Sequence, residues 1–238
     1  MTFEKIGCLD TFTRKDFYEA YTKEHGKTSP DALDYALRKE IAKGTIIHVG
    51  RNQYSTEKVR RIYNYSYSDE AKIVVQEVIQ EYPAIDFQVF ELVQLNEFVN
   101  HLFAHNTIFV SVENDAVDYV FDSLRSTYPG RIMLKPKADD YYRYLVDDQI
   151  VILRLPSESP KGVDEPWKSR LEKILVDIAV DKLLSQIVSV SEYESIISQA
   201  SDKYILDVAA MRRYTNRKGA GKRFDTYLTK FFHSAKEG

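Results

Sequence analysis

The chain has 238 residues, with 33 Lys and Arg against 36 Asp and Glu for a formal net charge of −3, and 44% of its residues are hydrophobic. That size and apolar content suit one large or two small domains with real cores, and the absence of any membrane-length apolar run or leader-like N-terminus leads us to expect a cytoplasmic protein with no membrane partner. The single cysteine, Cys8, excludes an intramolecular disulfide and a multi-cysteine zinc site, and its apolar surroundings favour burial over nucleophilic chemistry.

In chain order, residues 3–9 allow a short first helix. Thr13 and Asp16 have capping-box spacing and predict a helix with Phe17, Ala20 and Tyr21 inward, ending near His25-Gly26. Ser29 is a good N-cap and Pro30 suits the first helical position of the next helix, whose stripe is Leu33, Ala36, Leu37 and Ile41. Gly44 is placed to stop it. Ile46, Ile47, Val49 and Tyr54 are strand formers around the turn 50–52, which predicts a hairpin.

Two helices, a tight turn at 26–28 and a hairpin describe a winged helix-turn-helix over residues 1–62. Such a module lays its second helix in the major groove of DNA. The expected base readers are Thr28, Ser29, Tyr35, Arg38 and Lys39, with Arg14, Lys15, Lys27 and Arg51 as phosphate contacts and Asn52 also on the DNA-binding surface at the turn. Asp31 and Asp34 lend weight to a protein-contact role instead, because carboxylates repel phosphate unless one accepts from a cytosine amino group. Charge distribution favours DNA: residues 14–61 hold eleven Lys and Arg against seven Asp and Glu, while residues 62–160 hold seven against sixteen.

Residues 56–68 read as a connector, continuing into a connector helix, so that 63–83 link the two parts. That helix spans 69–80, with Ala71, Val74, Val75, Val78 and Ile79 inward. From residue 84 onward, expected strands at 85–92, 107–112, 131–134 and 149–155 alternate with helices at 95–104, 115–126 and 138–144. This predicts an α/β domain over 84–238 with a mixed sheet and crossover helices, hence an α+β or α/β chain overall. Residues 155–162 are a loop, and everything past about 167 is helical. Helices are expected over 168–187, after a capping box at Ser191 and Glu194, over 204–216, and after Gly221.

Few constellations suggest chemistry. His101 and His105 are four apart on an expected helix but lack a third ligand, so neither a metal nor a cofactor is expected. Asp86, Glu91, Glu113, Asp115, Asp118 and Asp122 cluster near strand ends without a nearby lysine in sequence, and most read as solvated faces. No GxGxxG, P-loop or GxSxG occurs. The cations Arg212, Arg213, Arg217, Lys218, Lys222 and Arg223, with Tyr214 among them, fit phosphate, RNA or an acidic partner, or equally a solvated cationic helix end.

Gly50-Arg51-Asn52-Gln53-Tyr54 in the hairpin, Met211-Arg212-Arg213-Tyr214 and Gly221-Lys222-Arg223-Phe224 together resemble the AbiEi-type antitoxins of bacterial type IV toxin–antitoxin systems, linked to abortive phage infection. The resemblance implies a non-enzymatic transcriptional autorepressor that binds an inverted repeat in its own promoter. It also implies that the chain counteracts a nucleotidyltransferase-like toxin without needing a stable complex. On that basis Arg51 belongs to the wing, and Arg212, Arg213, Lys222 and Arg223 to a C-terminal basic patch. Asn52 stands where that family usually has glycine, and the acidic α/β segment has no counterpart motif. The alternative is a nucleic-acid or nucleotide-processing enzyme targeted by the winged helix.

Overall fold

The computed structural model describes residues 11–43, 45–55 and 61–232, and the chain divides between Arg61 and Ile62 into two compact units. The expected helix over 3–9, Cys8 and the Gly44 stop lie outside the described residues.

The first unit contains α1 (Arg14–His25), α2 (Pro30–Ala42) and a hairpin of β1 (Ile47–Gly50) and β2 (Gln53–Ser55). α1 opens with the capping box: Thr13 N–H donates to the Asp16 carboxylate at 2.7 Å, and Asp16 N–H donates to Thr13 Oγ1 at 3.3 Å. These bonds hold the Asp16 carboxyl below its usual range. Gly26, at φ 80°, ends the helix in a conformation that suits glycine. Ser29 caps α2 by accepting from Ala32 N–H at 3.4 Å. Phe17, Ala36 and Leu37 meet Phe12, Ile46 and Tyr54 in one small core. Phe12 and Tyr54 exchange two backbone hydrogen bonds of 2.8 Å, so the residues ahead of α1 pair with the hairpin.

The second unit is mixed α/β. Its sheet runs in the order β3 (Phe87–Glu91), β4 (Thr107–Val112), β6 (Gln149–Arg154), β5 (Ile132–Leu134). β3 is antiparallel to β4, and β4, β6 and β5 are mutually parallel. Every residue of β3 and β4 is buried, as expected of strands covered on both faces. Ile108, Val110, Val112, Ile150 and Ile152 pack with α3 (Asp69–Glu81) and α4 (Val117–Thr127). Residues of opposite parity, Phe90, Phe109 and Val151, pack with the helices that follow the sheet. Those are α6 (Leu171–Val180), the single turn α7 (Leu184–Ile187), α8 (Val190–Lys203), α9 (Val208–Arg217) and α10 (Gly221–Phe232); α5 (Ala138–Arg143) joins β5 to β6. Among the described residues no helix is long and apolar enough to cross a membrane.

Several expectations are corrected. The helix expected over 95–104 is a 3-10 helix, Leu92–Glu97, followed by a bend. Side chains compete for the backbone there: Gln94 accepts from Glu91 N–H at 2.8 Å and Asn96 accepts from Phe103 N–H at 2.8 Å. The helix expected over 168–187 breaks at Asp181, whose carboxylate takes the N–H groups of Leu183 and Leu184 at 2.9 and 3.3 Å. The later capping box is Ser189 with Glu192, two residues before the expected pair, and the helix expected from 204 starts after Asp207, which caps it at Ala210 N–H, 2.8 Å. Ile79 is exposed, lying one residue beyond the Ala71, Val74, Val75, Val78 stripe. The expected connector helix, α3, is an integral layer of the second unit.

Candidate nucleic-acid interface

α2 buries Leu33, Ala36 and Leu37, and this phase turns Tyr35, Arg38 and Lys39 to solvent, with Tyr35 69% exposed. Asp34, expected to repel phosphate, is ion-paired with Arg14, which also lies over the Tyr18 ring at 5.6 Å. That pair ties α1 to α2 and removes one carboxylate from the local charge, at the expense of Arg14 as a free phosphate contact. Lys15 lies 3.8 Å from Glu19 on an exposed face, where the pair is worth little. Lys27 is exposed, while Thr28 Oγ1 donates to the Gly26 carbonyl at 2.9 Å and Ser29 is engaged as the cap.

At the hairpin tip Arg51 is exposed and Asn52 adopts φ 56°. Asn52 Oδ1 accepts from Arg14 N–H at 3.3 Å, so this side chain fastens the tip to the start of α1. Among the described residues Tyr35, Arg38, Lys39, Lys27 and Arg51 are therefore the members of the expected set that are exposed and whose side chains make no hydrogen bond or close ion pair.

The C-terminal cations divide by helical phase. Arg212, Arg213 and Arg217 face outward on α9, with Arg212 3.7 Å from Asp225 and Arg217 bonded to Ser157 Oγ at 2.6 Å; Lys222 and Arg223 are exposed on α10. Lys218, expected on the surface patch, is turned inward with a side chain 14% exposed, and Tyr214 is fully buried.

These two residues complete a buried ionic cluster that sequence reasoning missed. Asp177 accepts from Lys173 Nζ at 2.7 Å, from Lys218 Nζ at 2.6 Å and from Tyr214 Oη at 2.9 Å. Lys173 Nζ also donates to Ser111 Oγ at 3.3 Å, linking α6 to β4 as well as to α9. Burial opposes the Asp177 charge, but the two ammonium groups overcome it and hold its carboxyl below the usual range. Burial likewise opposes the Lys218 charge, and Asp177 with Asp181 overcomes it, raising that pKa. The Tyr214 phenol is pushed far up by burial and by Asp177. The cluster joins α6 to β4 and to α9.

The expected acids scatter. Asp115, Asp118 and Asp122 are exposed, whereas Glu91 is fully buried and accepts from Ser68 N–H at 2.9 Å and Asn106 Nδ2 at 2.8 Å. Asp86 does meet a lysine, Lys161 at 2.6 Å, and its N–H reaches Glu113 at 3.3 Å. His101 and His105 are exposed in a bend rather than on a helix, with His105 3.9 Å from Asp147. Among the described residues no three His, Cys, Asp or Glu side chains converge as metal ligands.

The expected connector at 62–68 is instead one wall of a cleft of about 780 Å³, with Tyr63, Tyr65, Tyr67, Gln94, Arg170 and Glu172 among its lining. Tyr67 Oη donates to the Val89 carbonyl at 2.8 Å, and burial raises all three phenols above their usual pKa. Glu172 is buried, grips Arg170 through bonds of 3.1 and 2.7 Å and accepts from Asp207 N–H at 2.9 Å.

No curated protein matches this chain. Residues 32–234, from within α2 onward through the second unit, match a family described as being of unknown function, DUF6577, and the chain belongs to that family.

Proposed function

We propose that the first unit is a winged helix-turn-helix that binds double-stranded DNA, and that the chain is a non-enzymatic transcriptional regulator of the AbiEi-like antitoxin kind. The observation that carries the DNA-binding half is the outward face of α2, where Tyr35, Arg38 and Lys39 stand clear of the core while Asp34, though not the exposed Asp31, is paired with Arg14. The pairing of Phe12 with Tyr54 gives the hairpin a third strand-like partner ahead of α1, an arrangement that suits a wing. The mechanism is phosphate neutralisation by Lys27, Arg51 and the basic side chains of α2, with base edges read from that helix in the major groove. Two copies on an inverted repeat would follow from the usual half-site logic of such modules.

The antitoxin half rests on the resemblance in the hairpin and in residues 211–224. It pairs the chain functionally with a nucleotidyltransferase-like toxin of a type IV, phage-defence operon and places it in the cytoplasm.

Two experiments separate these halves. In anisotropy titrations, a duplex from upstream of the chain's own gene should bind more tightly than a scrambled duplex of equal length. Equal affinity for both removes the operator reading. Co-expression with an adjacent nucleotidyltransferase-like reading frame should relieve growth arrest, and persistent arrest with soluble chain present removes the antitoxin reading.

A further inference from the structure

Residues 62–160 are strongly acidic, with only seven Lys and Arg, yet three of those seven, Lys135, Lys137 and Arg154, line a single cleft of about 630 Å³. The cleft opens where the parallel strands β5 and β6 end, since Lys135 follows Leu134 directly and Arg154 is the last residue of β6. Carboxyl ends of parallel strands are where open α/β sheets receive ligands. Lys182, from the link between α6 and α7, and Lys218, just past α9, add two more cations to the lining.

The side chains of Lys135, Lys137, Arg154 and Lys182 are exposed and have no ion pair or hydrogen bond among the described residues. Lys218 is committed to Asp177 at 2.6 Å and lies 3.8 Å from Asp181. Among the described residues the acids in the lining are Asp139 and Asp181, and Asp181 already accepts two backbone N–H groups. A concave wall with this surplus focuses positive potential inward. Lys135 is also held at φ 42° by its N–H bond of 2.9 Å to the Ile152 carbonyl, which carries the β5–β6 pairing one residue past the strand.

Among the described residues no aromatic ring lines the cleft, so they offer no stacking surface for a base, and recognition falls to charge on an apolar floor that includes Leu153 and Leu183. Its volume lies in the range of small-molecule sites.

We propose that this cleft binds a small phosphorylated metabolite, held by its phosphoryl group between Lys135, Lys137 and Arg154 on one side and Lys182 on the other. The proposal is independent of DNA binding by the first unit.

Calorimetric titration of the full chain at fixed ionic strength tests it, with inorganic pyrophosphate, ribose 5-phosphate and AMP as probes, adenosine as the uncharged control and a single-stranded oligonucleotide as the competing class. At least one phosphorylated probe should bind saturably and adenosine should not. Arg154→Gln and Lys182→Gln should each weaken that binding about tenfold, the scale of one lost charge-assisted hydrogen bond, without moving the melting midpoint. Arg38→Ala should leave it unchanged, which separates this site from the DNA-binding reading. The proposal is overturned if no phosphorylated probe binds saturably, if binding is indifferent to both cleft substitutions and to Lys137→Gln, or if the oligonucleotide alone binds through these residues.

Discussion

α2 and α9 are both short helices that crowd arginine and lysine around a tyrosine, and they use those residues in opposite ways. On α2 the inward positions are Leu33, Ala36 and Leu37, which leaves Tyr35, Arg38 and Lys39 facing out. On α9 the inward positions are Met211, Tyr214 and Thr215, and the stripe continues one turn on to Lys218, so a tyrosine and a lysine are spent on the interior. By cation count α9 is the more basic, with Arg212, Arg213 and Arg217 against Arg38 and Lys39 on α2. Helical phase separates them, because a side chain's role follows from which face its position occupies.

The largest effect expected from this difference is on stability. Asp177→Asn strands the Lys173 ammonium, 1% exposed, without its counter-charge, and removal of one partner of a buried pair costs about 3–5 kcal/mol. Urea unfolding of the chain should show that loss in the transition of the second unit. A loss below about 0.5 kcal/mol, the ordinary range for surface substitutions, would mean that the cluster holds nothing together.

Next in size, Arg38→Ala should weaken binding to the upstream duplex by about 1–3 kcal/mol and relax its sequence preference, with no change in unfolding. Loss of stability alongside binding would place Arg38 in the core's support rather than in the interface. A smaller change, about 1 kcal/mol of stability, is expected for Thr13→Ala, which removes the α1 cap. Arg213→Ala, outward on α9, should stay within about 0.5 kcal/mol of wild type.

The same cluster fixes a pH dependence. The Asp177 carboxyl is depressed from its ordinary 3.8, so its stabilisation is present above that value and lost as pH falls through the lower folded pKa. Lys218 is raised from 10.5, so its contribution is present below that value and lost as pH rises through the higher folded pKa. Unfolding free energies measured across pH should therefore be insensitive to this pair near neutrality, and Asp177→Asn should flatten the acid limb. Parallel acid limbs in variant and wild type would contradict the assignment.

Much of the fold is legible in the sequence where a local signal and a tertiary demand coincide. The Thr13–Asp16 box, the Ser29-Pro30 start and the four strands of the sheet are read from capping chemistry and apolar runs alone. What escapes is burial of polar residues. Lys173, Asp177, Tyr214 and Lys218 carry no mark of burial singly, although 211, 214, 215 and 218 recur at helical spacing. Tyr63, Tyr65 and Tyr67 alternate with the exposed Asn64 and Ser66, a period-two pattern of an extended segment with one face turned inward. The bend after residue 97 depends on Asn96 reaching Phe103, a contact that hydrophobic periodicity does not register. The cationic cleft is assembled from residues 135 to 218 and becomes visible only when the strand ends are brought together.

The most direct test of the account is the salt dependence of duplex binding by two variants, one removing two cations from α2 and the other three from α9. Replacing Tyr35, Arg38 and Lys39 with alanine should lower the slope of log K against log salt by about two units, near 0.9 per lost phosphate contact, and abolish preference for the upstream duplex. Replacing Arg212, Arg213 and Arg217 should leave both slope and preference in place. Unchanged binding by the α2 variant, or loss confined to the α9 variant, would contradict the claim that α2 is the surface that meets DNA.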